Sequence, residues 1–75
     1  MMEIYTRENC PICHQTKELL NSNFVDYVEY QIDRDIMRSE VLAKFPGVSK
    51  VPIIVNGGKV GGYSDLQLLM EKEHG

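Results

Sequence analysis

Cys10-Pro11-Ile12-Cys13 constrains this chain more than any other stretch, because it joins a short apolar run directly to an amphipathic one. Glu3 to Thr6, with Ile4 and Tyr5 at its centre, reads as a first strand, and Arg7-Glu8-Asn9 reads as a polar loop. Pro11 suits the first position of a helix, where its missing N–H would have no partner anyway. Ile12, Thr16, Leu19 and Leu20 then recur at helical spacing, which predicts a helix from Pro11 to about Ser22. Cys10 falls at the N-cap of that helix and Cys13 in its first turn.

The rest of the chain completes an α/β pattern. Asn21-Ser22-Asn23 ends the helix, and Val25 to Ile32 alternates as a second strand with Val28, Tyr30 and Ile32 on one face. Met37, Val41 and Phe45 mark a second helix that stops at Pro46-Gly47. Ile53-Ile54-Val55 is a third strand, and Asn56-Gly57-Gly58 turns it into Lys59-Val60 as a hairpin. The last helix follows Gly61-Gly62, with Ser64 and Gln67 spaced as a capping box and Leu66, Leu69 and Met70 as its buried stripe. The order is β-α-β-α-β-β-α. A right-handed βαβ crossover and a hairpin give a four-stranded mixed sheet flanked by three helices. Seventy-five residues make a single domain, 1–75, with a small core.

Composition narrows the function classes. The net charge of −3 argues against general nucleic-acid affinity, which rests on neutralising phosphates. Between Glu18 and Glu40 only Arg34 and Arg38 are basic, whereas Arg7, Lys17, Lys44, Lys50 and Lys59 lie outside that acidic stretch. No apolar stretch approaches the roughly 20 residues needed to span a bilayer. Met1-Met2-Glu3-Ile4-Tyr5 lacks the basic and apolar regions of a secretory signal. The expectation is a cytoplasmic monomer that binds neither nucleic acid nor membrane.

In a reducing cytosol a structural disulfide across two residues is unexpected and would stabilise little. The pair calls for chemistry. Thiol–disulfide exchange needs a thiolate, and the free N–H groups and dipole of a helix start favour one at Cys10. Arg7 and Lys17 add positive potential. Cys13, deeper in the helix, is placed to attack Cys10 after a mixed disulfide has formed, so Cys10 attacks and Cys13 resolves. Zinc would need about four ligands, and His14 and His74 show no ligand spacing, so no metal is expected. Two inert buried cysteines, or a cluster shared between two chains, remain as alternatives.

Two further segments carry a possible binding surface. Pro52 opens the third strand, which is tolerated there; alternatively a cis bond turns the Val51 backbone outward beside Cys10, where an extended peptide can pair with it. Gly61-Gly62-Tyr63-Ser64-Asp65 is either an ordinary glycine turn and helix start or a site for an anion and an amine, with backbone N–H groups for one and Asp65 for the other.

Taken together, Glu3 to His14, Val51-Pro52 and Gly61 to Asp65 resemble the glutaredoxin family along nearly the whole chain, and in particular its small dithiol bacterial and phage forms. The resemblance implies a thioredoxin-like fold, no tightly bound cofactor, and glutathione as the reducing co-substrate. By that likeness Cys10 and Cys13 are catalytic. The γ-glutamyl end of glutathione lies at Ser64 and Asp65 beside Gly62 and Tyr63, its cysteinyl backbone pairs with Val51 at Pro52, and Arg7 attracts its glycyl carboxylate. Two positions depart from the family pattern: Ile12 replaces a usual tyrosine, and Lys50 replaces a usual threonine before Val51. The function implied is glutathione-dependent reduction of protein disulfides and glutathione mixed disulfides. One alternative is a redoxin reduced by thioredoxin reductase that serves ribonucleotide reductase; another, of a different class, is an iron–sulfur carrier.

Overall fold

The computed structural model describes residues 2–48 and 50–74, with side chains as far as residue 71. The His74 side chain, raised above as a metal ligand, lies outside the described residues. The elements follow the expected order: β1 (Met2–Thr6), α1 (Pro11–Ser22), β2 (Tyr27–Gln31), α2 (Arg38–Lys44), β3 (Ile53–Asn56), β4 (Lys59–Gly61) and α3 (Tyr63–His74). The strands lie in the order β2-β1-β3-β4. β1 and β2 run parallel with Ile4 opposite Glu29, whereas β1–β3 and β3–β4 are antiparallel. The four-stranded mixed sheet with three helices is that of the thioredoxin-like class.

Alternation along the central strands divides the core in two. Met2, Ile4 and Ile54 face α1 and α3, joining Leu20, Leu66 and Met70 in one cluster. Tyr5 and Ile53 face the other way and pack with Ile32 and Val41 of α2. Tyr5 stacks on Tyr30 at 5.2 Å between ring centroids and meets the edge of Phe45 at 5.1 Å, which fastens the end of α2 to the sheet.

Several local expectations are corrected. β2 is shorter than Val25 to Ile32, because Val25 closes the end of α1 and Ile32 makes only an isolated bridge to Ile36. Ile12 is not part of the buried stripe of α1. It is 48 % exposed, and the stripe is Cys13, Thr16 and Leu20. Met37 caps α2 from an exposed position, leaving Val41 as its buried contact. Ser64 does not cap α3. The cap lies two residues earlier, at Gly62, whose N–H the Asp65 carboxylate reaches back to accept at 3.0 Å. That is the acidic half of a capping box, shifted to Gly62 and Asp65.

The stop of α1 has an unusual occupant. The Val25 N–H donates to the Leu20 carbonyl at 3.0 Å and the Phe24 N–H to that of Asn21 at 3.2 Å, a Schellman arrangement. It requires a left-handed residue between them. Phe24 takes that conformation at φ 57° while 94 % exposed. Phe24→Gly therefore removes a backbone cost and forfeits almost no burial. It is expected to stabilise the protein by about 0.5–1 kcal/mol, seen as a higher urea midpoint at unchanged m-value.

Candidate active site

β1 delivers the chain into the Arg7–Asn9 loop at one edge of the molecule. Asn9 adopts a left-handed conformation at φ 58°, which asparagine tolerates better than most residues, and this turn points Cys10 into the start of α1. Cys10 is extended, with φ −113° and ψ 104°, and Pro11 occupies the first helical position. The Cys13 N–H donates to the Cys10 Sγ at 3.2 Å. The sulfur thus takes the place of the usual side-chain oxygen at an N-cap and satisfies one of the unpaired donors of the first turn.

The two thiols sit in different surroundings. Cys10 is half-buried, whereas Cys13 is only 3 % exposed. Burial pushes the Cys13 thiol up from an ordinary 9.0 to about 11, reinforced by its hydrogen bond with Cys10 and by the charge Cys10 carries when ionised. A backbone hydrogen bond from Arg7 and the charge of Lys17 pull the other way. Lys17 is held there by Glu29, with Nζ 3.2 Å from Oε2. The same oxygen accepts the buried Thr6 hydroxyl at 2.7 Å. Burial alone would raise the Glu29 carboxyl, but the hydrogen bonds from Thr6 and Lys17 and the charges of Lys17 and Arg34 hold it below the usual range. His14 turns outward and pairs with Glu18 at 2.8 Å.

A shallow groove of about 540 Å³ gathers Ile12, Lys50, Val51, Pro52, Gly62, Tyr63, Ser64 and Asp65, so eight residues singled out from the sequence share one wall. The Val51–Pro52 peptide bond is cis. Arg7 is not in this groove. It lies with Cys10 along a neighbouring one of about 460 Å³ between the active-site loop and α2, where Ile12, Val48, Lys50 and Val51 form the shared boundary. The glycine pair also divides its roles. A Cβ on Gly61 would stand 2.8 Å from Asp65 Oδ2, so glycine there admits the helix cap, whereas Gly62 has open space around it and supplies the capped N–H. Sequence reasoning missed Asn9, Asp33, Arg38 and Leu42 as residues lining the Cys10 groove. The left-handed turn before the cysteine was a weak signal for Asn9. Arg38 and Leu42 belong to no motif and arrive only because α2 packs against the sheet.

Comparison with known proteins agrees with this architecture. The Glutaredoxin family model matches residues 2–60. The chain is 41% identical over 69 residues to Glutaredoxin 3 of Escherichia coli strain K12, covering 91% of this chain and 83% of that protein. It is 32% identical over 75 residues to an uncharacterised glutaredoxin-like 8.6 kDa protein of Clostridium pasteurianum, covering 96% and 100%. Among solved structures it is similar to glutaredoxin 1 from Francisella tularensis, with a TM-score of 0.78 at 30% identity over 96% of this chain and 93% of that one. It is also similar to the glutaredoxin-like protein NrdH-redoxin from Escherichia coli, with a TM-score of 0.74 at 25% identity, covering 91% and 92%. The chain belongs to the glutaredoxin family and is a thiol–disulfide oxidoreductase.

Proposed function

We propose that glutathione is the reductant of this oxidoreductase and that Cys10 is its attacking thiol. The observation that carries the reading is the Cys10 sulfur at the helix start, accepting the Cys13 N–H, beside the groove formed by Val51, Pro52 and Tyr63 to Asp65. The Cys10 thiolate attacks a substrate disulfide, forming a mixed disulfide and releasing one substrate thiolate, which takes up a proton. Cys13 then gives up its proton and attacks Cys10, releasing the second substrate thiolate. The substrate has gained two electrons and the enzyme holds a Cys10–Cys13 disulfide. Two glutathione molecules reverse this state and leave as glutathione disulfide. Once Cys10 is bound in a mixed disulfide, its charge and hydrogen bond no longer hold up the Cys13 thiol, while Lys17 still draws it down. Loss of these two contributions eases deprotonation of Cys13 at the resolving step, while its burial, the largest cause, remains.

Glutathione suits the groove by its charges. Asp65 commits Oδ2 to the Gly62 N–H and keeps Oδ1 for the γ-glutamyl ammonium. The first turn of α3 offers N–H groups to the adjacent carboxylate. The Val51 backbone at the cis bond suits the cysteinyl peptide unit, Ile12 and Tyr63 flank it, and Arg7 faces the glycyl carboxylate from the Cys10 side. The working compartment is a reducing one, the cytosol. A second reading, reduction by thioredoxin reductase with delivery to ribonucleotide reductase, is favoured by likeness to NrdH-redoxin, whose described activity profile is thioredoxin-like.

NADPH consumption separates the two. Oxidised protein is expected to be reduced by glutathione with glutathione reductase, and activity with thioredoxin reductase alone would reverse the assignment. In that assay Cys10→Ser loses more than about 1000-fold, whereas Cys13→Ser retains turnover of glutathione mixed disulfides. Asp65→Asn keeps an acceptor for the cap but removes the charge. It should raise the KM for glutathione roughly tenfold, with a smaller change in kcat.

The Cys13 thiol adds a pH signature. Iodoacetamide at neutral pH is expected to modify Cys10 alone by mass mapping, with Cys13 reacting only as the pH approaches 11. Because the folded protein holds this proton more tightly than the unfolded chain, Cys13 contributes stability below about pH 9 that is lost as the pH rises towards 11. The urea midpoint of the reduced protein should fall across that window, and Cys13→Ser should flatten the fall.

A further inference from the structure

A third groove, of about 540 Å³, opens on the β2 side of α1, and both cysteines reach it. Among the described residues, the other charged or titratable groups that line it are Arg7 and Glu8 of the loop, His14 and Lys17 of α1, and Glu29 of β2. His14 is turned outward onto Glu18. Glu29 breaks the local pattern. Tyr27, on the same face of β2, packs into the core between α1 and α3, so alternation sends the Glu29 carboxylate towards α1 as well. It is only 22 % exposed there. Its Oε2 accepts the buried Thr6 hydroxyl at 2.7 Å and meets the Lys17 Nζ at 3.2 Å, so β1, β2 and α1 are tied together at one atom. Thr6 ends the strand that places Cys10, and Lys17 stands one helical turn beyond Cys13, where residues four apart are neighbours.

We propose that Lys17 is the counter-charge for the Cys13 thiolate in the resolving step, and that Glu29 and Thr6 are positioning residues that hold it there. The proposal deepens the reading above and rests on Cys10 attacking first, whatever the reductant. In this step Cys13 loses its proton to water in the groove and its sulfur bonds to the Cys10 Sγ. The bond from Cys10 to the substrate sulfur breaks, and the leaving thiolate takes a proton from water. The charge of Lys17 already pulls the Cys13 thiol down against its burial. A lysine loose on the surface would serve this purpose poorly, because its flexible stem spreads the charge over many positions. The Glu29 carboxylate, fixed by Thr6, removes that freedom.

The test mixes the reduced full chain with an equimolar amount of 5,5′-dithiobis(2-nitrobenzoate) in stopped flow. The first thionitrobenzoate released reports attack by Cys10, and the second reports resolution by Cys13. Lys17→Met keeps the apolar stem and removes the charge. It is expected to slow the second phase roughly tenfold and to move its rise with pH upward by about one unit, while the first phase changes by less than about twofold. Lys17→Arg should restore most of the rate. Glu29→Gln supplies the decisive sign. By charge alone, removing a carboxylate favours a nearby thiolate and speeds the second phase, whereas a loosened Lys17 slows it, by roughly threefold. Thr6→Val should slow it in the same direction. An intact first phase shows that a variant is folded at the site. A second phase unchanged in Lys17→Met, or unchanged or faster in Glu29→Gln, overturns the proposal, as does equal slowing of both phases. Those outcomes leave Cys10 as the attacking thiol so long as Cys10→Ser abolishes the first phase. A first phase that survives in Cys10→Ser removes that reading and the proposal together.

Discussion

β1 is hydrogen-bonded on both edges and covered on both faces, and the position of the dithiol depends on that constraint. β2 pairs with it in parallel and β3 in antiparallel register, so its direction is fixed twice over. Ile4 and Tyr5, adjacent in sequence, anchor the two separate halves of the core. The strand therefore cannot slip by one residue without turning Ile4 towards α2 and Tyr5 towards α1. Because the loop that follows is only Arg7 to Asn9, the place of Cys10 is set by that register. The buried Thr6 hydroxyl adds a polar fastening at the same end, through Glu29 to Lys17.

From that anchored end, the helix start divides two chemically identical side chains into different reagents. The N-cap position leaves the Cys10 sulfur half-exposed with an N–H aimed at it, while three residues later the helix has turned Cys13 into the interior. Burial disfavours the Cys13 anion, and the hydrogen bond and charge of Cys10 add to that until a mixed disulfide removes them. The order of events in a dithiol mechanism is thus a consequence of helical geometry and dielectric.

Much of this was legible because the relevant signals are local. Pro11 after Cys10, the Asn56-Gly57-Gly58 turn and the apolar spacings of α1 and α3 each report on backbone conformation within a few residues. Gly57 and Gly58 do take positive φ, at 57° and 89°, as a tight hairpin demands. The errors arose where a local signal was ambiguous. Ser64-x-x-Gln67 has the spacing of a capping box, yet α3 starts at Tyr63, which puts Ser64 inside the helix and leaves Asp65 to cap the Gly62 N–H. Ile12 fits the apolar period of α1, but the buried face of that helix runs through Cys13, Thr16 and Leu20, which leaves Ile12 exposed along the groove. Phe24 gave no sequence signal for a left-handed cap, since glycine or asparagine is the usual occupant. Arg38 was invisible as a site residue because its nearness to Cys10 is created by tertiary packing of α2.

That last point bears on how such a small chain divides its surface. α2 is fastened by Val41 and by the contact of Phe45 with Tyr5, both on the cluster opposite α1 and α3. α3 is fastened by Leu66 and Met70 on the other cluster. The dithiol stands where the two layers meet at the end of β1, and each layer contributes one wall of a groove. The α3 wall is built from a helix start with a single carboxylate, chemistry suited to a ligand bearing both an amine and an acid. The α2 wall is built from apolar side chains, with Arg7, Arg38 and Lys50 exposed along it. Two halves of one core, separated only by the alternation of adjacent side chains on a central strand, thereby set two grooves of different lining beside one thiol.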